Sequence, residues 1–178
     1  MQKAESPILT ERCLDPWKAA NQQLQMARRI MPDSRMPRWL EALQEPGPIE
    51  VDLSFDWGEQ KRIRVQGSIS AQGKLQCQRC LGDMPLSLTV DVDAAVVFSE
   101  EAAAQLPAEL DPWMGESEQL DLLQQIEDEL LLALPMMPVH EQESCPGESH
   151  YSTGGNTQKS TGKKAFAQLA DLVKKTNN

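Results

Sequence analysis

The sequence predicts an α+β fold: an antiparallel β-sheet of about four to six strands packed against an acidic amphipathic helix, with an N-terminal helical segment and a flexible C-terminal tail. Three observations predict it. Residues 48–98 alternate apolar and polar side chains with a period of two. "SEQLDLLQQIEDELLLALP" (117–135) returns to helical spacing. From Pro146 to Gly162 the composition turns to Gly, Ser, Thr and Asn, which is linker chemistry. The expected organisation is a helical segment over 1–45, an α+β core over 46–145, a linker over 146–162 and an amphipathic tail over 163–178.

The first expected element is one helix over "LDPWKAANQQLQMARRIM". Asp15 suits the N-cap and Pro16 the first helical position, where a missing N–H costs nothing. Trp17, Ala20, Leu24, Ala27 and Met31 then recur at three- and four-residue spacing, with Arg28 and Arg29 in the last turn. A shorter helix is expected at "PRWLEALQ", closed by "EPGP".

In the sheet region Ile49, Val51, Leu53 and Phe55 alternate with Glu50, Asp52, Ser54 and Asp56. After a turn near "WGEQ", Ile63, Val65, Gly67 and Ile69 repeat the pattern, and Leu75 and Cys77 carry it to "CQRC". Leu86, Leu88, Val90, Val92, Ala94, Val96 and Phe98 make the longest alternation. A half-buried antiparallel sheet produces this pattern. Residues 99–116 are expected to be an acidic connection. In the following helix Leu122, Leu123, Ile126, Leu130, Ala133 and Leu134 form the stripe that covers the sheet, and Pro135 ends it. "LDPW" occurs at 14–17 and at 110–113 with unrelated flanks, a recurring local signal and not a repeat.

The net charge of −10 is unevenly spread. Residues 99–145 hold twelve acidic residues and no Lys or Arg. That block repels a polyanion. It is a solvated surface or a docking surface for a basic partner. No apolar run reaches the roughly 18–20 residues of a membrane span. The N-terminus does not read as a signal peptide, so a cytoplasmic chain with reduced thiols is expected. Neither membrane nor small-molecule binding is anticipated.

No catalytic constellation is found. His140 and His150 lie near or inside the expected linker, and "STGGNTQKSTGKK" lacks P-loop spacing. Cys77 and Cys80 have the separation of a zinc knuckle, and His140 and Cys145 could complete the site. A single CxxC is weak on its own. Reduced free thiols marking a tight turn are the preferred reading, with the four-ligand zinc site as the alternative. Thioredoxin-type redox chemistry fits poorly, because the pair lies between strands and not at a helix N-terminus. Lys61, Arg62 and Arg64, with Lys163 and Lys164 in the tail, are the candidate RNA contacts.

Four segments in order, "LDPWKAANQQL", "LQCQRCLGDMPL", "DLLQQIEDELLLALPMMPVHEQESC" and "AFAQLADLVKK", resemble the bacterial YceD family of large ribosomal RNA subunit accumulation proteins over nearly the whole chain. Family members often carry a second cysteine cluster after the Pro–His segment, where this chain has Cys145. The family's "NPFA" tail start is "KAFA" here. The resemblance implies a non-enzymatic, cytoplasmic protein needed for synthesis, processing or stability of 23S ribosomal RNA. Combined with the charge, it predicts a ribosome-biogenesis accessory protein. Its Asp121, Glu127, Asp128 and Glu129 would bind a basic ribosomal protein or assembly factor, and its basic edges would touch the 23S precursor. A zinc-dependent RNA-binding module is the alternative, and an enzyme of unknown type the third.

Overall fold

The structure, a computed structural model, describes residues 13–141 and Cys145. The chain starts with β1 (Cys13–Leu14), α1 (Pro16–Asn21) and β2 (Gln25–Ile30). It continues through α2 (Pro37–Ala42), β3 (Glu45–Trp57), a 3-10 turn (Glu59–Lys61), β4 (Ile63–Gln76) and β5 (Asp83–Val97). The last elements are α3 (Glu100–Ala103), β6 (Asp111–Met114), β7 (Leu120–Asp121) and α4 (Leu122–Leu132). The expected linker and tail, with Lys163 and Lys164, lie outside the described residues.

The α+β class holds, with five strands in the main sheet in the order β2-β3-β4-β5-β6. The sheet is mixed and not antiparallel throughout. Strands β2 to β5 pair antiparallel, but β6 joins β5 in parallel. Residues 99–110 act as the crossover that a parallel neighbour requires. A two-stranded ribbon pairs β1 with β7.

The alternation behaves as expected along the three long strands. Ile49, Val51, Leu53 and Phe55 are buried, while Glu50, Asp52 and Asp56 are exposed. Their partners Ala71, Ile69 and Val65 are buried with them, because antiparallel neighbours share a face. Gly67 faces Leu53 at φ +149, and a Cβ there would run into the Asp52 carbonyl. Only glycine fits this point of the strand. Helix α1 packs on β3 and β4, α2 on β3 and α4, and α4 on β4 and β5, giving two layers over one core.

The N-terminal segment departs from the expected single helix. Asp15 caps α1 by accepting the Lys18 N–H at 2.9 Å, and Pro16 opens it. The helix stops at Asn21, and Gln23 takes a positive φ of 46°. Residues 25–30 then become the edge strand β2, with Met26 and Ile30 buried. Ala27 and Met31 of the expected helical stripe are exposed, and the buried pair is Met26 and Ile30, whose spacing of four suits either period. Pairing with β3 satisfies backbone groups that a helix would have bonded internally. Arg28 and Arg29 therefore sit on a strand.

Helix α4 carries the stripe the spacing predicts, with Leu122, Leu123, Ile126 and Leu130 buried. Its acidic residues do not all face solvent. Glu127 is only 3 % exposed and points inward. Residues 99–116 are more structured than a connection: Trp113 of β6 enters the core at 1 % exposure.

Candidate metal centre

The β4–β5 hairpin turns through residues 77–82. The Cys77 N–H donates to the Gly82 carbonyl at 2.9 Å, and the Leu81 N–H to the Cys77 carbonyl at 2.8 Å. Leu81 adopts φ +61° to close the turn. Both cysteine side chains are thereby presented on one side of a knuckle. Past α4, Pro135 and Pro138 forbid further helix, and the extended segment passes over the hairpin tip. There the Gln78 N–H donates to the Pro138 carbonyl at 2.8 Å. This contact delivers His140 and Cys145 to the knuckle.

The ligand atoms of Cys77, Cys80, His140 and Cys145 all lie within 4.8 Å of one another, with Cys77 buried and the others half-buried. Cys77 Sγ is 3.8 Å from Cys145 Sγ, and Cys80 Sγ is 3.7 Å from His140 Nδ1. Metal–sulfur bonds of about 2.3 Å and metal–nitrogen bonds of about 2.0 Å give tetrahedral edges of about 3.8 Å between sulfurs and about 3.6 Å from sulfur to nitrogen. Two of the six edges therefore match such a tetrahedron, and the others are no longer than 4.8 Å. The cluster could hold a metal ion, and it brings together the four residues of the zinc site that the sequence offered as the alternative to free thiols.

The surroundings prepare the donors. His140 Nε2 lies 3.1 Å from the Asp83 carbonyl. A proton held on Nε2 by that carbonyl leaves the Nδ1 lone pair facing the sulfurs. Burial pushes the Cys77 thiol up, but the backbone N–H groups of Cys80, Arg79 and His140 outweigh it and bring the thiol down to about 5. Cys145 is also lowered: desolvation opposes ionisation, while the hydrogen bonds from Arg79 and His140 win. The Gly82 N–H favours the Cys80 thiolate, yet desolvation and the thiols of Cys145 and Cys77 hold Cys80 above its usual value. Three sulfurs this close cannot all ionise without a compensating cation.

Arg79 lies against the cluster, and the sequence alone did not single it out. Its Nε donates to Cys145 Sγ at 2.9 Å and its terminal nitrogen to the His140 carbonyl at 3.2 Å. The available signal was its position between the two cysteines of "CQRC". The Asp83 and Pro138 carbonyls left no such trace, because any residue supplies a carbonyl. Cys13 is exposed on β1 and takes no part in the cluster.

Each of the expected acidic docking residues has an internal partner. Asp121 caps α4, accepting the Gln124 N–H at 3.2 Å. Glu127 accepts Arg38 at 2.9 Å and the buried Trp39 N–H at 2.9 Å. Asp128 pairs with the same guanidinium at 2.6 Å, and Glu129 accepts the Trp113 indole N–H at 2.7 Å. Desolvation would penalise Glu127 as a free carboxylate, and these internal hydrogen bonds offset that cost.

Among the basic candidates, Arg64 is held by Asp93 through two contacts of 2.7 and 2.6 Å. Arg62 donates to the Gln105 carbonyl at 3.3 Å, and Lys61 is exposed on the 3-10 turn. Lys61 and Arg62 share a cleft with Trp57, whose indole donates to Asn21 at 3.1 Å. Trp17 in the same cleft stacks on Phe98 at 4.5 Å, and Trp39 is core.

The family profile described as "Large ribosomal RNA subunit accumulation protein YceD" matches residues 65–173. A Haemophilus influenzae protein with the same description is 30 % identical over 179 aligned residues, covering 98 % of this chain and 100 % of that protein. No solved structure matches the chain.

Proposed function

Because this chain belongs to the large ribosomal RNA subunit accumulation protein YceD family, we propose that it supports accumulation of 23S ribosomal RNA in the cytoplasm as a non-catalytic binding factor stapled by structural zinc. The observation that carries this reading is the closed donor set of Cys77, Cys80, His140 and Cys145. Four protein ligands on a tetrahedral ion leave no position for water or substrate, the mark of a structural site and not a catalytic one. Three sulfurs and an imidazole favour zinc over magnesium or calcium, which prefer oxygen. Zinc bound here would contribute folding energy by joining the hairpin tip to the segment after α4.

The working surface is adhesive. The block over 99–145, with no Lys or Arg, disfavours RNA as the main ligand and favours a basic ribosomal protein or assembly factor. Lys61 and Arg62 make limited contact with precursor RNA beside Trp57. Sedimentation of cell extracts tests the reading. The protein should travel with large-subunit precursors, and its loss should deplete them. Absence from every precursor fraction would sink the proposal.

A zinc-dependent RNA-binding module is the second reading, favoured by Arg79 lying against the cluster. It requires RNA affinity to vanish with the metal and to fall steeply with salt.

A further inference from the structure

With Glu127 buried, no acidic docking face can run along α4 through it. Surface carboxylates gather instead around a groove of about 810 Å³ between α4 and β6. Val90, Trp113 and Leu131 line it, and Asp111, Asp128 and Glu129 bring three carboxylates, of which Asp128 is paired with Arg38. Met114 and Leu132 are exposed at 41 % and 83 %. Arg38 is the one cation among the groove residues, and Glu127 and Asp128 already neutralise it. Strand β6 is the last strand of the sheet, so among the described residues no further strand covers its outer side.

We propose that this groove docks an extended peptide segment rich in lysine or arginine and carrying large aliphatic side chains, contributed by a basic protein. The inference rests on the reading that the chain acts through such a partner, and it places that contact. The groove runs between a helix and a strand and so suits an elongated occupant. Pro112 lacks an N–H and Gln125 holds the Met114 carbonyl at 3.3 Å, so side chains and not strand pairing would carry the contact. Met114 and Leu132 supply apolar surface that a purely polar peptide could not use. The acidic rim attracts cationic side chains and repels a phosphate backbone. Area alone would not discriminate partners; the combination of apolar floor and anionic rim does.

The test uses the full, zinc-loaded chain and a fluorescent synthetic peptide of alternating lysine and leucine. Glutamate–leucine and lysine–serine counterparts serve as comparisons. Binding to the lysine–leucine peptide is expected, with failure of both counterparts. Asp111→Lys and Leu132→Ser should each weaken it by about tenfold. Both positions are exposed, so unchanged near-UV circular dichroism and zinc content will certify the fold. Equal binding by both variants, or by the glutamate–leucine peptide, overturns the proposal. So does direct binding of fluorescent polyuridine RNA that Asp111→Lys strengthens and Leu132→Ser weakens, which would make the groove a nucleic-acid site. Extract sedimentation separates the two levels. If the double variant still travels with large-subunit precursors, the groove is wrong and the functional reading stands. If the wild type itself does not travel, the functional reading falls, and the peptide data alone decide the groove.

Discussion

The carboxylate of Glu127 accepts the backbone N–H of Trp39 at 2.9 Å, joining α4 to the start of α2 across 88 positions of sequence. Its second oxygen takes Arg38 at 2.9 Å. Removing the carboxylate strands a buried N–H, whereas half-exposed Arg38 can still use Asp128 and water. Glu127→Ala should therefore cost about 2–3 kcal/mol in chemical denaturation. Arg38→Met should cost less, because the N–H remains paired. The reverse order would refute the account.

The four-donor cluster predicts the metal content of protein purified without chelator. A single zinc equivalent is expected, lost on Cys77→Ser or His140→Ala and retained on Cys13→Ser. Cobalt substitution should give the absorption of a tetrahedral thiolate site. Asp83→Ala should bind metal normally, because only its carbonyl meets His140. Full occupancy in the His140 variant would remove histidine from the ligand set.

Arg79 offsets the charge of Cys145 and ties down the His140 carbonyl. Arg79→Met should lower zinc affinity by about tenfold or more in chelator competition, as loss of an outer contact to a metal ligand does. Arg79→Lys should recover part of it by restoring charge without the planar fork. An unaltered Arg79→Met affinity would reduce the contact to surface decoration.

Arg64 holds the Asp93 carboxyl below its ordinary value, chiefly through their hydrogen bonds. A carboxyl lowered on folding stabilises above its unfolded range and loses that contribution as pH falls through the lowered value. Asp93→Asn should remove this part of the acid dependence while leaving stability near pH 7 slightly reduced. The effect should be small, because both side chains are about two-fifths exposed and solvent screens the pair. Parallel acid-unfolding curves for the two proteins would contradict it.

How much was legible differs by element. The three long strands were, because their polar face is solvated and the period of two survives intact. The strand β2 was not: Met26 and Ile30 suit a helix as well as a strand. "LDPW" shows the same limit twice over. At 14–17 it carries the cap and first turn of α1, while at 111–113 its Asp-Pro-Trp forms β6. The cysteine pair was visible, but its completion by His140 and Cys145 depended on how the chain returns after α4. The burial of Glu127 was invisible for a related reason: its partners Arg38 and Trp39 belong to a distant helix.

By itself the sequence determined the alternating sheet, the apolar stripe of α4, the concentration of acidity and the presence of four candidate donors. These are local or compositional properties, written in spacing of two or of three and four. Only the tertiary structure decided that β6 runs parallel at the edge, that Glu127 turns inward and that four donors meet within 4.8 Å. Each depends on which distant segment arrives beside which. Long-range pairing is set by burial of the whole core, and no local window of residues contains that information.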